Sequence, residues 1–207
     1  MSPFLGNHDV DRFATHLSGN GEGPFGETVD RLGVDTGDAV TEGWLIDRIA
    51  MAFAFVLTQP GVPLIYYGDE IGLAGAGDPD NRRIMPQALN GNRLELLRRV
   101  QALGQARSTL PALRRGERNQ LWVDENFYVY ARVSEKGDEM ALVAMNKGDT
   151  TRTETVDVPN ALGLSGQVLL DILAPDAEGI EVANGKLTFV VAPWQTQIWT
   201  PQLPTTP

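Results

Sequence analysis

The chain has 207 residues, with 17 lysines and arginines against 27 aspartates and glutamates, and no cysteine. The formal net charge is -10 and no basic stripe of the kind a nucleic-acid duplex requires is visible, so no nucleic-acid partner is expected; the lack of cysteine excludes disulfides, thiolate metal sites and cysteine nucleophiles. With 42% hydrophobic and 21% charged residues, the composition is that of a globular protein of one large or two small domains, open to neutral or cationic ligands.

Residues 2–6 are predicted to end a short buried strand. A polar loop is predicted from Asn7 to about Thr41, because "SGNGEGPFGE" cannot hold a regular element. Thr41 is a plausible N-cap for a helix from Glu42 to about Thr58. Its run "IAMAFAFVL" is too short to span a bilayer and reads as a buried helix, so no membrane partner is expected. The start, "MSPFLGNHD", has neither the basic nor the apolar region of a secretory signal. After "QPG", the segment "VPLIYYG", residues 62–68, is β-branched and aromatic without alternation, as buried parallel strands are. A second loop runs from Asp69 to about Asn92. A helix follows from Arg93 to about Leu110, with Leu94, Leu97, Val100 and Leu103 on one stripe. Strand, loop, helix, strand, loop, helix is a βαβα pattern and argues for part of a parallel sheet.

The texture changes after "LPALRRGE". Short segments, "QLWV", "FYVYARV", "MALVAMN", "RTETVDV", "VLLDIL", "KLTFVV" and "QTQIWT", alternate with turns such as "NKGD" and "ANGK". This spacing predicts an antiparallel β-sandwich from about Glu117 to Thr200 that folds by itself, followed by a frayed tail. Its aromatics, Trp122, Phe127, Tyr128, Tyr130, Trp194 and Trp199, read as core and rim.

Two clusters of polar residues follow the two predicted strands of the first half. Asn7, His8 and Asp9 end the first. Tyr66, Tyr67, Asp69 and Glu70 end the second, with Asp78, Asp80, Arg82 and Arg83 further along the loop. At the carboxyl ends of parallel strands such groups face a ligand crevice. A carboxylate beside an imidazole suits hydroxyls or developing positive charge, and the arginine fork suits vicinal hydroxyls. The same residues also suit a plain turn at Asn7–Asp9 and a solvated loop held by Asp–Arg pairs. Neither histidine has metal-ligand spacing, and "DPDN" lacks the loop pattern of a calcium-binding hand. No cofactor is expected.

Taken in order, "FLGNHDVDRF", "GVPLIYYGDEIGL", "GDPDNRR" and "LLRRVQALGQARSTLPALRRGE" resemble four consecutive regions of the α-amylase superfamily, the family 13 glycoside hydrolases. They match the fourth signature region, the last barrel strand, the loop after it in neopullulanase and cyclomaltodextrinase-type members, and the link into domain C. The resemblance covers nearly the whole chain. It implies α/β plus all-β architecture: residues 1–116 as the C-terminal part of a (β/α)8 TIM barrel, strands seven and eight with their helices, and residues 117–207 as the β-sandwich domain C.

The resemblance also implies roles. Asp9 is the third catalytic carboxylate, which hydrogen-bonds sugar hydroxyls and stabilises an oxocarbenium-like transition state. His8 binds the same sugar, and Asp78 and Arg82 hold the next one. Asn7 shapes the turn, Arg12 braces Asp9, and Gly68 and Glu70 are structural. The substrate is an α-glucan or maltooligosaccharide. A retaining glycosidase needs a nucleophile and an acid/base carboxylate. In the family these follow strands four and five, ahead of the segment present here, so the isolated chain is expected to be inactive. A non-catalytic sandwich acting in packing or carbohydrate binding, and one half of a split enzyme completed by a partner chain or a homo-oligomer, remain as alternative readings.

Overall fold

The computed structural model describes residues 2–18, 43–89 and 91–201. The glycine-rich stretch, the Thr41 cap and the tail beyond Pro201 lie outside the described residues. The chain divides into two compact units, residues 1–57 with 61–104, and residues 58–60 with 105–207.

The first unit holds helix α1 (Phe13–Ser18), most of helix α2 (Gly43–Thr58) and most of helix α3 (Gly91–Thr109). Leu45, Ile46, Ile49, Ala50, Phe53, Ala54, Val56 and Leu57 of α2 are buried, a stripe wide enough to cover most of the helix. In α3 the buried apolar positions are Leu96, Val100, Leu103 and Ala106. Leu94, expected on that stripe, is 38% exposed, because it stands two residues and about 200° around the helix from Leu96. Arg99 of α3 donates to Glu95 at 3.0 Å and to Asp47 of α2 at 2.6 Å, tying the helices together.

Two expectations are corrected here. The segments 2–6 and 62–68 are not buried strands: they meet in one parallel bridge, Phe4 with Leu64, closed by Leu64 N donating to Pro3 O at 3.0 Å. Val62 is 73% exposed, and Phe4, Leu64, Ile65 and Tyr67 are exposed as well. A parallel strand is buried when other strands and helices cover it on every side, and a lone pair has no such cover. Burial begins only where the segments end, at Gly6 and from Gly68 to Gly77, Glu70 excepted. Secondly, the loop after Asn7 is not continuous, since α1 interrupts it. Ala14 and Thr15 of α1 are buried, and Thr15 Oγ accepts the Gly75 N–H at 2.8 Å.

A fully buried guanidinium, Arg12, organises this unit. It donates through Nη1 to Asp69 Oδ1 at 3.0 Å and to the Tyr67 carbonyl, and through Nε to the Asn81 carbonyl at 2.7 Å. Its guanidinium lies 4.1 Å from the Tyr66 ring centre and 4.5 Å from that of Tyr67. Burial pushes the Asp69 carboxyl up to about 6, with the Arg12 hydrogen bond and charge pulling it down. Gly6 is required beside it, because a Cβ there would stand 2.7 Å from Asp69 Oδ2.

The second unit contains helix α4 (Pro111–Arg115) and strands β1 (Glu117–Val123), β2 (Phe127–Val133), β3 (Met140–Asn146), β4 (Arg152–Asp157), β5 (Val168–Asp171), β6 (Ile180–Glu181), β7 (Lys186–Val191) and β8 (Gln195–Pro201). One sheet runs β1-β2-β3-β8-β5-β6 and a second pairs β4 with β7; every pairing is antiparallel. Strand β7 alternates as a half-buried strand should: Leu187, Phe189 and Val191 are buried, Lys186, Thr188 and Val190 exposed. Those three join Val129, Ala131, Leu142, Ala144, Val156 and Trp199 in one core drawn from both sheets. Strand β6 and helix α4 were not foreseen. The two residues of β6 are too short for a sequence pattern, and α4 starts on Pro111 directly after α3 ends.

Here too buried arginines satisfy backbone. Arg132, fully buried on β2, donates to the carbonyls of Thr58, Leu113 at 3.0 Å and Gly116 at 2.6 Å. Arg107 donates to Gln59 O at 2.9 Å and Leu113 O at 2.8 Å. Burial lowers the Arg132 pKa to about 10, so it stays charged at neutral pH.

Two outcomes test these buried charges. Arg132→Met strips donors from three carbonyls and should cost about 3 kcal/mol in urea unfolding of the full chain; a loss under about 1 kcal/mol would show that those carbonyls do not depend on it. For Asp69, the folded pKa lies above the ordinary 3.8. Its contribution to stability is therefore fully present below about pH 4 and is lost as pH rises through about 6. The stability difference between the native chain and Asp69→Asn should shrink over that window and then level off; a difference that grows with pH would contradict the shift.

Candidate active site

The chain leaves the Phe4 bridge through Gly6 into a tight turn. Asn7 Oδ1 accepts the Asp9 N–H at 2.8 Å, the side-chain turn that makes asparagine favourable at such a corner. His8 and Asp9 then project outward. His8 Nε2 lies 3.3 Å from Asp9 Oδ1, with the side chains 64% and 69% exposed.

The second cluster comes from the loop after Leu64. Gly68 sits at φ 87, in the left-handed region, and a Cβ there would stand 2.7 Å from Leu73 Cδ2, so the turn into 69–71 requires glycine. The loop closes on itself at Gly75, where a Cβ would meet Asp80 O at 2.5 Å and Asn81 Cα at 2.8 Å. Asp80 accepts Ala76 N at 2.7 Å and holds Arg83 in a two-point pair at 2.7 and 2.9 Å. Tyr67 Oη donates to Arg83 O at 3.1 Å. Arg82 Nε pairs with Asp78 Oδ1 at 3.1 Å, both side chains about half exposed.

The four predicted site residues are brought together by one backbone atom. The His8 carbonyl accepts Arg82 Nη2 at 3.5 Å, so the His8–Asp9 pair and the Asp78–Arg82 pair share an exposed surface though they lie some seventy residues apart in sequence. Arg12 does not brace Asp9. Its guanidinium is spent on Asp69, Tyr67 O and Asn81 O, beneath the turn. His16 is exposed on α1.

Sequence reasoning missed Asn81. It is fully buried, and Nδ2 donates to both His8 O and Val10 O at 3.0 Å. An asparagine after Pro79 and Asp80 carries only a turn signal, and no local pattern marks it as reaching back to residues 8 and 10. The Arg12–Asp69 pair was missed for the same reason.

Chemically, the surface offers an exposed carboxylate with an imidazole beside it, and a guanidinium fork with a second carboxylate. Such a set can accept from and donate to several hydroxyls at once. Among the described residues no group of three or more histidine, aspartate or glutamate side chains could hold a metal ion, and no helix is long and apolar enough to cross a membrane.

No family model matches the chain. The beta/alpha-amylase of Paenibacillus polymyxa is 32% identical over 197 residues, 95% of this chain and 14% of that protein. The cyclomaltodextrin glucanotransferase of Bacillus licheniformis is 31% identical over 199 residues, 95% of this chain and 23% of the relative. The crystal structure of the α-amylase of Geobacillus thermoleovorans complexed with acarbose superposes with a TM-score of 0.76 and 25% identity, over 99% of this chain and 39% of that one. The chain thus spans less than a quarter of the length of these curated relatives. Matched along almost its whole length in both sequence and fold, it belongs to the α-amylase superfamily, the family 13 glycoside hydrolases, as a C-terminal portion in which the last barrel segments precede a domain C β-sandwich.

Proposed function

We propose that the surface formed by His8, Asp9, Asp78 and Arg82 is part of the active site of a retaining hydrolase of α-glucans, with residues 1–116 as its last barrel portion and residues 117–207 as domain C. One observation carries this reading: two exposed polar pairs, one directly after the first of two parallel-bridged segments and one in the loop that follows the second, meet at the His8 carbonyl.

Asp9 accepts hydrogen bonds from hydroxyls of the sugar undergoing cleavage. These bonds strengthen as the ring flattens toward the oxocarbenium ion, so the carboxylate favours the transition state over the ground state. His8 donates to the same sugar. Arg82, its fork held by Asp78, grips a neighbouring sugar of an oligosaccharide and thereby orients the scissile bond. The nucleophile and the acid/base belong to earlier barrel segments in the family, and the substrate is a maltooligosaccharide or longer α-glucan. Water completes the reaction, with no cofactor.

Residues 1–207 alone should therefore release no reducing sugar from soluble starch; release that Asp9→Asn abolishes would refute this. In an active enzyme whose barrel is completed around these residues, Asp9→Asn should lower kcat by about a hundredfold or more with little change in KM. Arg82→Ala should chiefly raise KM, and more for a long than for a short maltooligosaccharide. Near-normal kcat in Asp9→Asn would remove Asp9 from the mechanism.

A further inference from the structure

Asn81 is a polar side chain with no exposed surface, and its amide does not serve its own loop. The two N–H groups of Nδ2 go to His8 O and Val10 O, each at 3.0 Å, the carbonyls on either side of Asp9. Its own backbone is held in turn. The Asn81 carbonyl accepts Arg12 Nε at 2.7 Å, and the loop presses against itself at Gly75, which leaves no room for a Cβ beside Asn81 Cα. Arg12 N donates to Gly75 O at 2.9 Å, closing the circuit between the turn and the loop.

We infer that Asn81 is a positioning residue for Asp9, gripping the backbone on both sides of it; the inference rests on the reading of Asp9 as the transition-state-stabilising carboxylate. Asp9 is largely exposed, and the Asn7 side chain fixes the turn carrying it from within. Misplacing a catalytic group by about 1 Å can cost about a hundredfold in rate. An asparagine amide supplies two donors in a fixed plane on only two rotatable bonds, so it sets the spacing of the His8 and Val10 carbonyls and with it the direction of the Asp9 side chain. The next residue, Arg82, reaches the same His8 carbonyl. Asn81 therefore sets the turn that bears Asp9 and the loop that bears Asp78 and Arg82 at one distance. Aspartate has the same shape with no donor, and would face both carbonyls with negative oxygens.

The test uses Asn81→Asp and the milder Asn81→Ser, with Asp9→Asn as reference. Hydrogen exchange of the 207-residue chain should accelerate in the peptide covering residues 4–13 in both Asn81 variants, with residues 43–57 unchanged. In an active enzyme completed around these residues, kcat should fall about tenfold or more for Asn81→Asp, and less for Asn81→Ser, by a larger factor than KM rises. Normal kcat in Asn81→Asp beside an inactive Asp9→Asn would overturn the inference alone. Loss of protection across residues 43–57 as well would make Asn81 a general folding residue and also overturn it. Near-normal kcat in Asp9→Asn would sink the reading of Asp9 and the inference with it.

Discussion

A guanidinium without exposed surface is the constraint on which the first unit depends. Removing Arg12 from water is costly unless its donors are satisfied and its charge is met. Here the Tyr67 and Asn81 carbonyls take hydrogen bonds, Asp69 supplies the counter-charge, and two tyrosine rings lie within cation–π distance. Those partners come from the segment after the Leu64 bridge and from the loop that follows it. Nη2 is buried with no hydrogen-bond partner among the described residues, but the contacts made through Nε and Nη1 gather the turn at Asn7–Asp9 and the loop at 75–83 into a single piece. The raised pKa of Asp69 reflects the same balance, with burial outweighing the pull of Arg12.

The second unit meets a similar demand differently. Arg132 and Arg107 are buried against backbone carbonyls, and the hydrogen bonds that hold them go to Thr58, Gln59, Leu113 and Gly116. Those carbonyls lie at helix ends and a strand entrance, where backbone acceptors lack intrahelical partners and where the helix dipole favours a cation. Tyr130, whose hydroxyl is within hydrogen-bonding distance of Thr58 and Gln59, completes the arrangement. Burial lowers the Arg132 pKa, and the nearby charges of Arg107 and Arg118 lower it further.

The same residue types thus divide into two roles by depth. Asp69 and Arg12 are buried and hold structure. Asp9, Asp78 and Arg82 are exposed and form ion pairs at the surface. Exposed ion pairs contribute little to stability, so breaking them costs little. This separation lets a polar surface stay adaptable while the backbone beneath it stays fixed.

Several features were legible in the amino-acid sequence by itself. The alternation of "KLTFVV" and the regular turn spacing after residue 117 specify an antiparallel sandwich, because side-chain period and turn chemistry are local properties. The apolar run of α2 specifies a buried helix, and the order of four motifs specifies the superfamily. The pairing of His8–Asp9 with Asp78–Arg82 was expected only through that resemblance. Tertiary structure alone decided that Arg12 serves Asp69 rather than Asp9, that Asn81 reaches the carbonyls of residues 8 and 10, and that segments 2–6 and 62–68 expose their apolar side chains. These are matters of partner choice across some fifty to seventy positions of chain. A buried donor takes whichever acceptor the fold brings within about 3 Å, and an apolar strand is buried only if other elements cover it; neither condition is written in the residues adjacent to it.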